Sequence, residues 1–295
     1  MSLEDNQLTP ETVNNWDDAR KLLRNWRDGN IRMSKETLDL WTSLIAPSIN
    51  KLGDEKWLVY EQVFLAALDC HVLTIAADCI AALKSQFPDS SRVKKLFGMH
   101  YEAIQGYDKA IDIYESILSG DETNAHVRKR IISCLKSQNK VKEYVSELNE
   151  YLKLFQADHE AWLELCDAYL NDMDFSKAAF CLEELILMYP HNHVYHQRYA
   201  DIKYTQGNYD LAKSYYSYSL KLNPNNVRSL YGLLLTTANL KSSQKSKEGV
   251  DNAKLNAWAR EQLDSKYQTV KADQNLMDSV NNLFQSLSIS KAEKA

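Results

Sequence analysis

Glycine and proline are scarce in this sequence, at 8 and 5 of 295 residues. So few turn formers leave little room for the hairpins of a sheet-rich fold, and an all-helical chain is expected. Long apolar runs are missing too. No window approaches the ~20 apolar residues of a membrane span, and the most apolar stretch, 72–83, is interrupted by Asp78. Met1 to Asp18 has neither a basic start nor an apolar core, which excludes reading it as a secretory signal. There is no excess of positive charge: 35 Lys and Arg stand against 40 Asp and Glu, a net charge of −5, and a nucleic-acid partner is not expected. The 5 cysteines, Cys70, Cys79, Cys134, Cys166 and Cys181, form no C-x-x-C pair and sit inside apolar helical patterns. They read as small buried hydrophobes in a reducing compartment.

Catalytic signatures are absent as well. The chain has no glycine-rich phosphate loop, no Gly-Lys-Ser or Gly-Lys-Thr and no H-E-x-x-H. Glu183-Glu184 reads as a solvated helix face. His191, His193 and His196 are close enough in sequence to share a cation, but no carboxylate or thiolate accompanies them at ligand spacing, so they are assigned to an exposed corner. No catalytic residue, no cofactor and no metal are expected.

What is present is a stride. Trp162, Leu165, Cys166, Tyr169, Ala178, Leu182 and Pro190 follow the tetratricopeptide pattern W-x2-L-G-x2-Y…A-x3-F…P, with Cys166 for Gly and Leu182 for Phe. Steps of 34 from Ala178 reach Ala212 forward and Tyr144, Ala110 and Ala76 backward. The same steps from Pro190 reach Pro224, Gln156, Glu122 and Pro88. Gly106-Tyr107-Asp108 and Gly207-Asn208-Tyr209-Asp210 supply turns between paired helices. The expected fold is all-α: a tetratricopeptide-repeat solenoid, a right-handed superhelix of helical hairpins.

Five repeats are read at 57–90, 91–124, 125–158, 159–192 and 193–226, forming a domain over 57–226. In the third, Tyr144 replaces the small alanine and should splay or shift its helices. Before the array, 1–56 holds a mobile start (1–10) and a helical cap of two helices, 11–28 entered near Pro10 and 35–50 capped by Ser34. Pro47 should kink or end the second of these. After it, 227–288 holds divergent helices closing the solenoid: 227–240, 251–270 after a polar loop at 241–249, and 275–287. Residues 289–295 form a disordered tail.

The first helices of successive repeats should line a groove. Its early half carries Arg92, Lys95, Lys129 and Lys136. Its later half carries Glu160, Asp167 and Asp201, with Leu163, Leu170, Gln197 and Tyr204 among them. This polarity would orient an extended partner segment by charge. It disfavours a chaperone cofactor that clamps a terminal carboxylate, because Met99 follows Lys95 by one turn and Glu160 and Glu164 stand where cations would be needed.

Several runs carry more than the generic repeat. These are Leu52-Gly53-Asp54 with Trp57, Tyr60-Glu61-Gln62-Val63 and Ala66-Ala67-Leu68-Asp69. Further on come Glu147-Leu148-Asn149-Glu150-Tyr151-Leu152, the stretch from Lys177 to Leu185, Pro190-His191-Asn192-His193, and Tyr204-Thr205-Gln206-Gly207. Over roughly Trp16 to Leu287 the chain resembles the subunit 2 family of the endoplasmic-reticulum (ER) membrane protein complex. That resemblance implies a non-catalytic repeat protein, peripheral on the cytoplasmic face of the ER membrane. It would hold cytosolic parts of a membrane-embedded insertase subunit, the tail of a small membrane subunit, and a cytosolic subunit of the 8/9 type. The complex would insert tail-anchored and multi-pass proteins. Reading the residues alone leaves a free adaptor or co-chaperone with one peptide ligand as the alternative.

Overall fold

A computed structural model describes Val13, residues 15–240 and 247–269, and the single positions Ser279 and Asn282. Every regular element among the described residues is helical. The chain divides into two compact units between Glu147 and Leu148. The division falls inside helix α8 (Val141–Leu154), close after the buried Tyr144.

The first unit opens with α1 (Trp16–Asp28) and α2 (Ser34–Leu40). The described part of α1 is capped by Asn15, whose side chain accepts the Asp18 amide at 2.8 Å and takes up one of the donors a helix start leaves open; Pro10 lies outside the described residues. Ser34 does not cap α2. The cap position is Met33, and the Ser34 hydroxyl instead donates to Asp69 at 2.6 Å. The helix expected over 35–50 passes into a π turn at Trp41–Ile45 and then a 3-10 stretch, Ala46–Glu55. Pro47 sits at the start of that stretch, where a missing amide is tolerated, and Ser48 and Gly53 leave helical geometry within it.

Hairpins follow: α3 (Lys56–Asp69) with α4 (Leu73–Gln86), α5 (Ser91–Ala103) with α6 (Tyr107–Leu118), then α7 (Ala125–Ser137) leading to α8. One core joins α1 through α5. It contains Ala19, Leu23 and Trp26, Leu38 and Ile45, Val63, Phe64 and Ala67, Ala76 and Ile80, and Leu96.

The second unit contains α9 (His159–Asn171) with α10 (Phe175–Met188), α11 (His193–Thr205) with α12 (Tyr209–Leu222), and α13 (Val227–Asn239) with α14 (Lys247–Thr269). Ala200, Ala212, Tyr216, Leu230, Leu233, Ala259 and Leu263 share its core. The start of α13 lies one stride beyond that of α11, so the register continues into a hairpin that the sequence pattern marks only weakly.

Packing explains the stride. Ala76, Ala110, Ala178 and Ala212 are all fully buried, each where a larger side chain would push a hairpin apart. Four of the first helices, α7, α9, α11 and α13, are entered through Asn124, Asp158, Asn192 and Asn226, whose side chains accept an amide two or three residues on. The turns inside the hairpins share a second device. His71, Gln105, Asn139, Met173 and Gly207, one stride apart, all adopt positive φ, from 56° to 78°. Only Gly207 adopts this geometry without steric cost. Gly106, expected to make its turn, is instead the cap of α6 at φ −82°.

Candidate partner-binding site

In the first unit, helices α1, α3 and α5 and the Arg130 side chain of α7 enclose a hollow of about 520 Å³. Its apolar lining includes Trp26, Ile31, Met33, Leu58, Leu65 and Met99. Arg27, Arg32, Arg92 and Arg130 also line it, with Glu61 and Asp69. A second hollow of about 320 Å³ is lined by Met99, Glu102, Ala103, Arg130, Ser133 and Ser137, among others. Of the cations the sequence offered here, only Arg92 lines either hollow. Lys95 is half-buried on α5 and Lys129 half-buried on α7. Lys136 is exposed, its ammonium 5.7 Å from the centre of the Tyr144 ring, a cation–π distance. The cations that sequence reasoning missed are Arg27 and Arg32, before the repeats, and Arg130, one residue past Lys129.

The charges are largely occupied by one another. Arg92 grips Glu61 through two nitrogens, at 2.8 and 2.9 Å. Arg130 pairs with Glu102 at 2.7 Å, and Glu102 also accepts the Tyr114 hydroxyl at 2.5 Å. Asp69 takes Arg32 and Ser34, and the Arg32 guanidinium holds its carboxyl below the usual range.

The second unit repeats the scheme. Arg198 of α11 pairs with Asp167 of α9. Arg228 of α13 donates to Asp201 of α11 at 3.0 Å, and Asp201 also accepts from the Tyr216 hydroxyl at 2.6 Å and from Gln197 at 2.7 Å. Burial and the carboxylate partner push the hydroxyls of Tyr114 and Tyr216 well above the ordinary phenol range. Gln197 is buried. Tyr204 is half-buried, accepts from Asn239 at 2.8 Å and lies edge-on to Tyr209. Glu160 is exposed, and Leu163 and Leu170 are half-buried.

An arginine on one first helix thus reaches back to a carboxylate on the first helix before it, in four places. In two of them a tyrosine of the intervening second helix supports the carboxylate. This fixes the stacking of neighbouring hairpins and leaves less unsatisfied charge than the sequence alone implies.

The histidines disperse. His196 is buried, with Nε2 2.7 Å from the Pro190 carbonyl and its ring beside Tyr215 and Tyr218; it does not occupy an exposed corner. His193 lies between Asn223 and Asn226, each at 3.0 Å, and His191 is exposed. Among the described residues no group of His, Cys, Asp and Glu is placed to hold a metal ion, and no helix is long and apolar enough to cross a membrane.

Stacked hairpins at this stride, tied through their first helices, make the protein a tetratricopeptide-repeat solenoid. A family model described as the EMC2 TPR-like repeat domain matches residues 74–222. ER membrane protein complex subunit 2-A of Xenopus laevis is 43% identical over 94% of this chain and 96% of its own length. ER membrane protein complex subunit 2 of Dictyostelium discoideum is 32% identical over 84% of this chain and 82% of its own. The chain belongs to the ER membrane protein complex subunit 2 family. Among solved structures, the C-terminal part of a TPR repeat-containing protein from Cytophaga hutchinsonii matches with a TM-score of 0.62 at 13% identity. That match covers 89% of this chain and 98% of the other, and it reflects the fold alone.

Proposed function

We propose that this chain is a non-catalytic scaffold subunit of an ER membrane protein complex, peripheral on the cytoplasmic face of the membrane. It holds cytosolic segments of membrane-embedded subunits and so supports insertion of tail-anchored and multi-pass proteins. The observation that carries the reading is family membership across nearly the whole chain, joined to a surface built for polypeptides. The first unit offers an apolar hollow rimmed by guanidinium groups, the mixture that seats side chains of a partner and orients its acidic groups. Lys95, Lys129 and Lys136, on two of the helices that contribute to it, add attraction for an acidic segment. In the second unit the exposed Glu160 and the half-buried Leu163, Leu170 and Tyr204 offer a mainly apolar surface, while Asp167 and Asp201 are held by Arg198 and Arg228 and Gln197 is buried beside Asp201. The partners in this reading are an insertase subunit, the tail of a small membrane subunit, and a cytosolic subunit of the 8/9 type.

The test is native purification of the tagged chain, wild type and with Lys95→Glu plus Lys129→Glu. The expected result is an assembly of hundreds of kilodaltons holding several membrane proteins, with fewer of them retained by the double variant and helicity unchanged. Recovery of one peptide ligand and no membrane proteins would instead favour the free adaptor. An identical partner set in both would refute the role given to the lysines.

A further inference from the structure

The second helices of the first unit carry charge of a different kind. A hollow of about 320 Å³ is lined by α6, α7 and α8. From α6 it takes Asp108, Ile111, Asp112 and Glu115, at the three- and four-residue spacing of one helix face. From α8 it takes Glu143, Ser146 and Glu147 at the same spacing. Ile131 and Leu135 of α7, one turn apart and both buried, line its base. Tyr144, buried in α8, stands here where the other four repeats have alanine.

Five carboxylates line this hollow against one ammonium, that of Lys140. Lys140 donates to Asp108 at 3.2 Å, and Gln138 donates to the same carboxylate at 2.8 Å. Asp112, Glu115 and Glu143 are exposed, and Glu147 is half-buried. None of these four has an ion pair or a side-chain hydrogen bond among the described residues. On the first helices, by contrast, Glu61 and Glu102 each hold an arginine of this same chain. The four open carboxylates, all described, are not placed to share a metal ion. They call for cations spaced along one molecule, with apolar groups among them to cover Ile111, Ile131 and Leu135. The phosphate-rich surface of a lipid or a nucleic acid is repelled.

We propose that this hollow docks a basic amphipathic segment of a partner protein. Lysine or arginine side chains of the segment meet the four open carboxylates, and an apolar side chain seats on Ile111, Ile131 and Leu135. The surface shares no lining residue with the two hollows already described. The occupant is another subunit if the chain is a scaffold, and in that respect the proposal rests on the scaffold reading.

The full chain is titrated with a fluorescein-labelled amphipathic peptide of leucine and lysine, and binding is read by fluorescence anisotropy. Affinity should fall at least ~tenfold in Asp112→Asn with Glu143→Gln. It should fall less than ~twofold in Asp172→Asn with Glu261→Gln, which removes the same charge from exposed positions in the second unit. A copy of the peptide with serine for leucine should bind at least ~tenfold more weakly. Equal losses in the two variants, or a serine copy that binds as well, overturn the proposal. In the native assembly, a carbodiimide that joins carboxylates to amines in contact should link Asp112, Glu115, Glu143 or Glu147 to lysines of one other subunit. No such link in an assembly that holds its membrane proteins, or links to a second copy of this chain, overturn it and leave the scaffold reading standing. Absence of membrane proteins overturns the scaffold reading instead, and the peptide titration then decides for the hollow alone.

Discussion

Glu55 is the clasp between α1 and the first hairpin, and replacing it by Gln isolates the effect of one charge. Its carboxylate accepts from Arg20 at 2.8 Å, from Arg24 at 2.7 and 3.0 Å, and from Arg27 at 2.9 Å. These three arginines project from one face of α1 at three- and four-residue spacing. The Glu55 side chain is only 11% exposed, whereas Arg20, Arg24 and Arg27 are 36%, 50% and 22% exposed. The Arg24 guanidinium, with Arg20 and Arg27 behind it, outweighs desolvation and lowers the carboxyl from 4.5 to about 2. At about 1.36 kcal/mol per unit the coupling amounts to roughly 3 kcal/mol. Screening of the half-exposed arginines reduces the expected value to about 2 kcal/mol. A depressed carboxyl stabilises the fold fully above its unfolded value. That contribution falls as pH drops from 4.5 and is gone near 2. Hydrogen exchange of α1 at neutral pH should therefore be roughly thirtyfold faster in Glu55→Gln. In urea titrations the gap between wild type and variant should be constant above pH 5 and narrow steadily between pH 4.5 and about 2. A gap of the same size at pH 2.5 and pH 7 would refute the electrostatic account, as would α1 exchange that the substitution leaves unchanged.

Burial pushes the thiols of Cys79, Cys134 and Cys181 up to about 12 and that of Cys166 to about 11, while Cys70 is exposed. Ellman's reagent at pH 8 should accordingly titrate one thiol in the native protein and all five in denaturant; two or more fast native thiols would contradict the burial. At the hairpin turns, Met173→Gly should raise stability by about 0.5 kcal/mol and Gly207→Ala lower it by about 1 kcal/mol. Both follow from positive φ, and urea midpoints that move together in one direction would show that backbone geometry is not what these turns respond to.

Much of the array could be read from the sequence because its rule is steric. A buried alanine against large partners repeats at a fixed interval, and Ala76, Ala110, Ala178 and Ala212 occupy it in four of the five repeats, with Tyr144 in the third. The same rule does not reach the hairpin of α13 and α14: one stride beyond Ala212 is Ser246, outside the described residues, and two strides beyond Cys166 is the large Leu234. Gly232 of α13 instead gives room to the Tyr216 ring of α12, from which an added Cβ would lie 2.3 Å. The π turn at Trp41–Ile45 also left no trace in the apolar spacing, since α, π and 3-10 turns can all bury the same residues.

The pairing of charges along the first helices was not legible for a different reason. Taken singly, Arg92, Asp167 and Asp201 look like groups awaiting a partner. Their pairing depends on how far one first helix is offset from the next, which spacing along a single chain does not reveal. Once that offset is known, the cation one hairpin on falls opposite the carboxylate one hairpin back, as Arg198 does for Asp167 and Arg228 for Asp201. A partner that used these carboxylates would have to displace an arginine already in place, and the arginine would then need a new anion. Selection for such a partner therefore favours segments that carry both charges, or apolar side chains that slip between pairs and leave them intact. The hollow between Trp26, Leu65 and Met99, rimmed by Arg27, Arg32 and Arg92, meets the second condition without breaking a single ion pair.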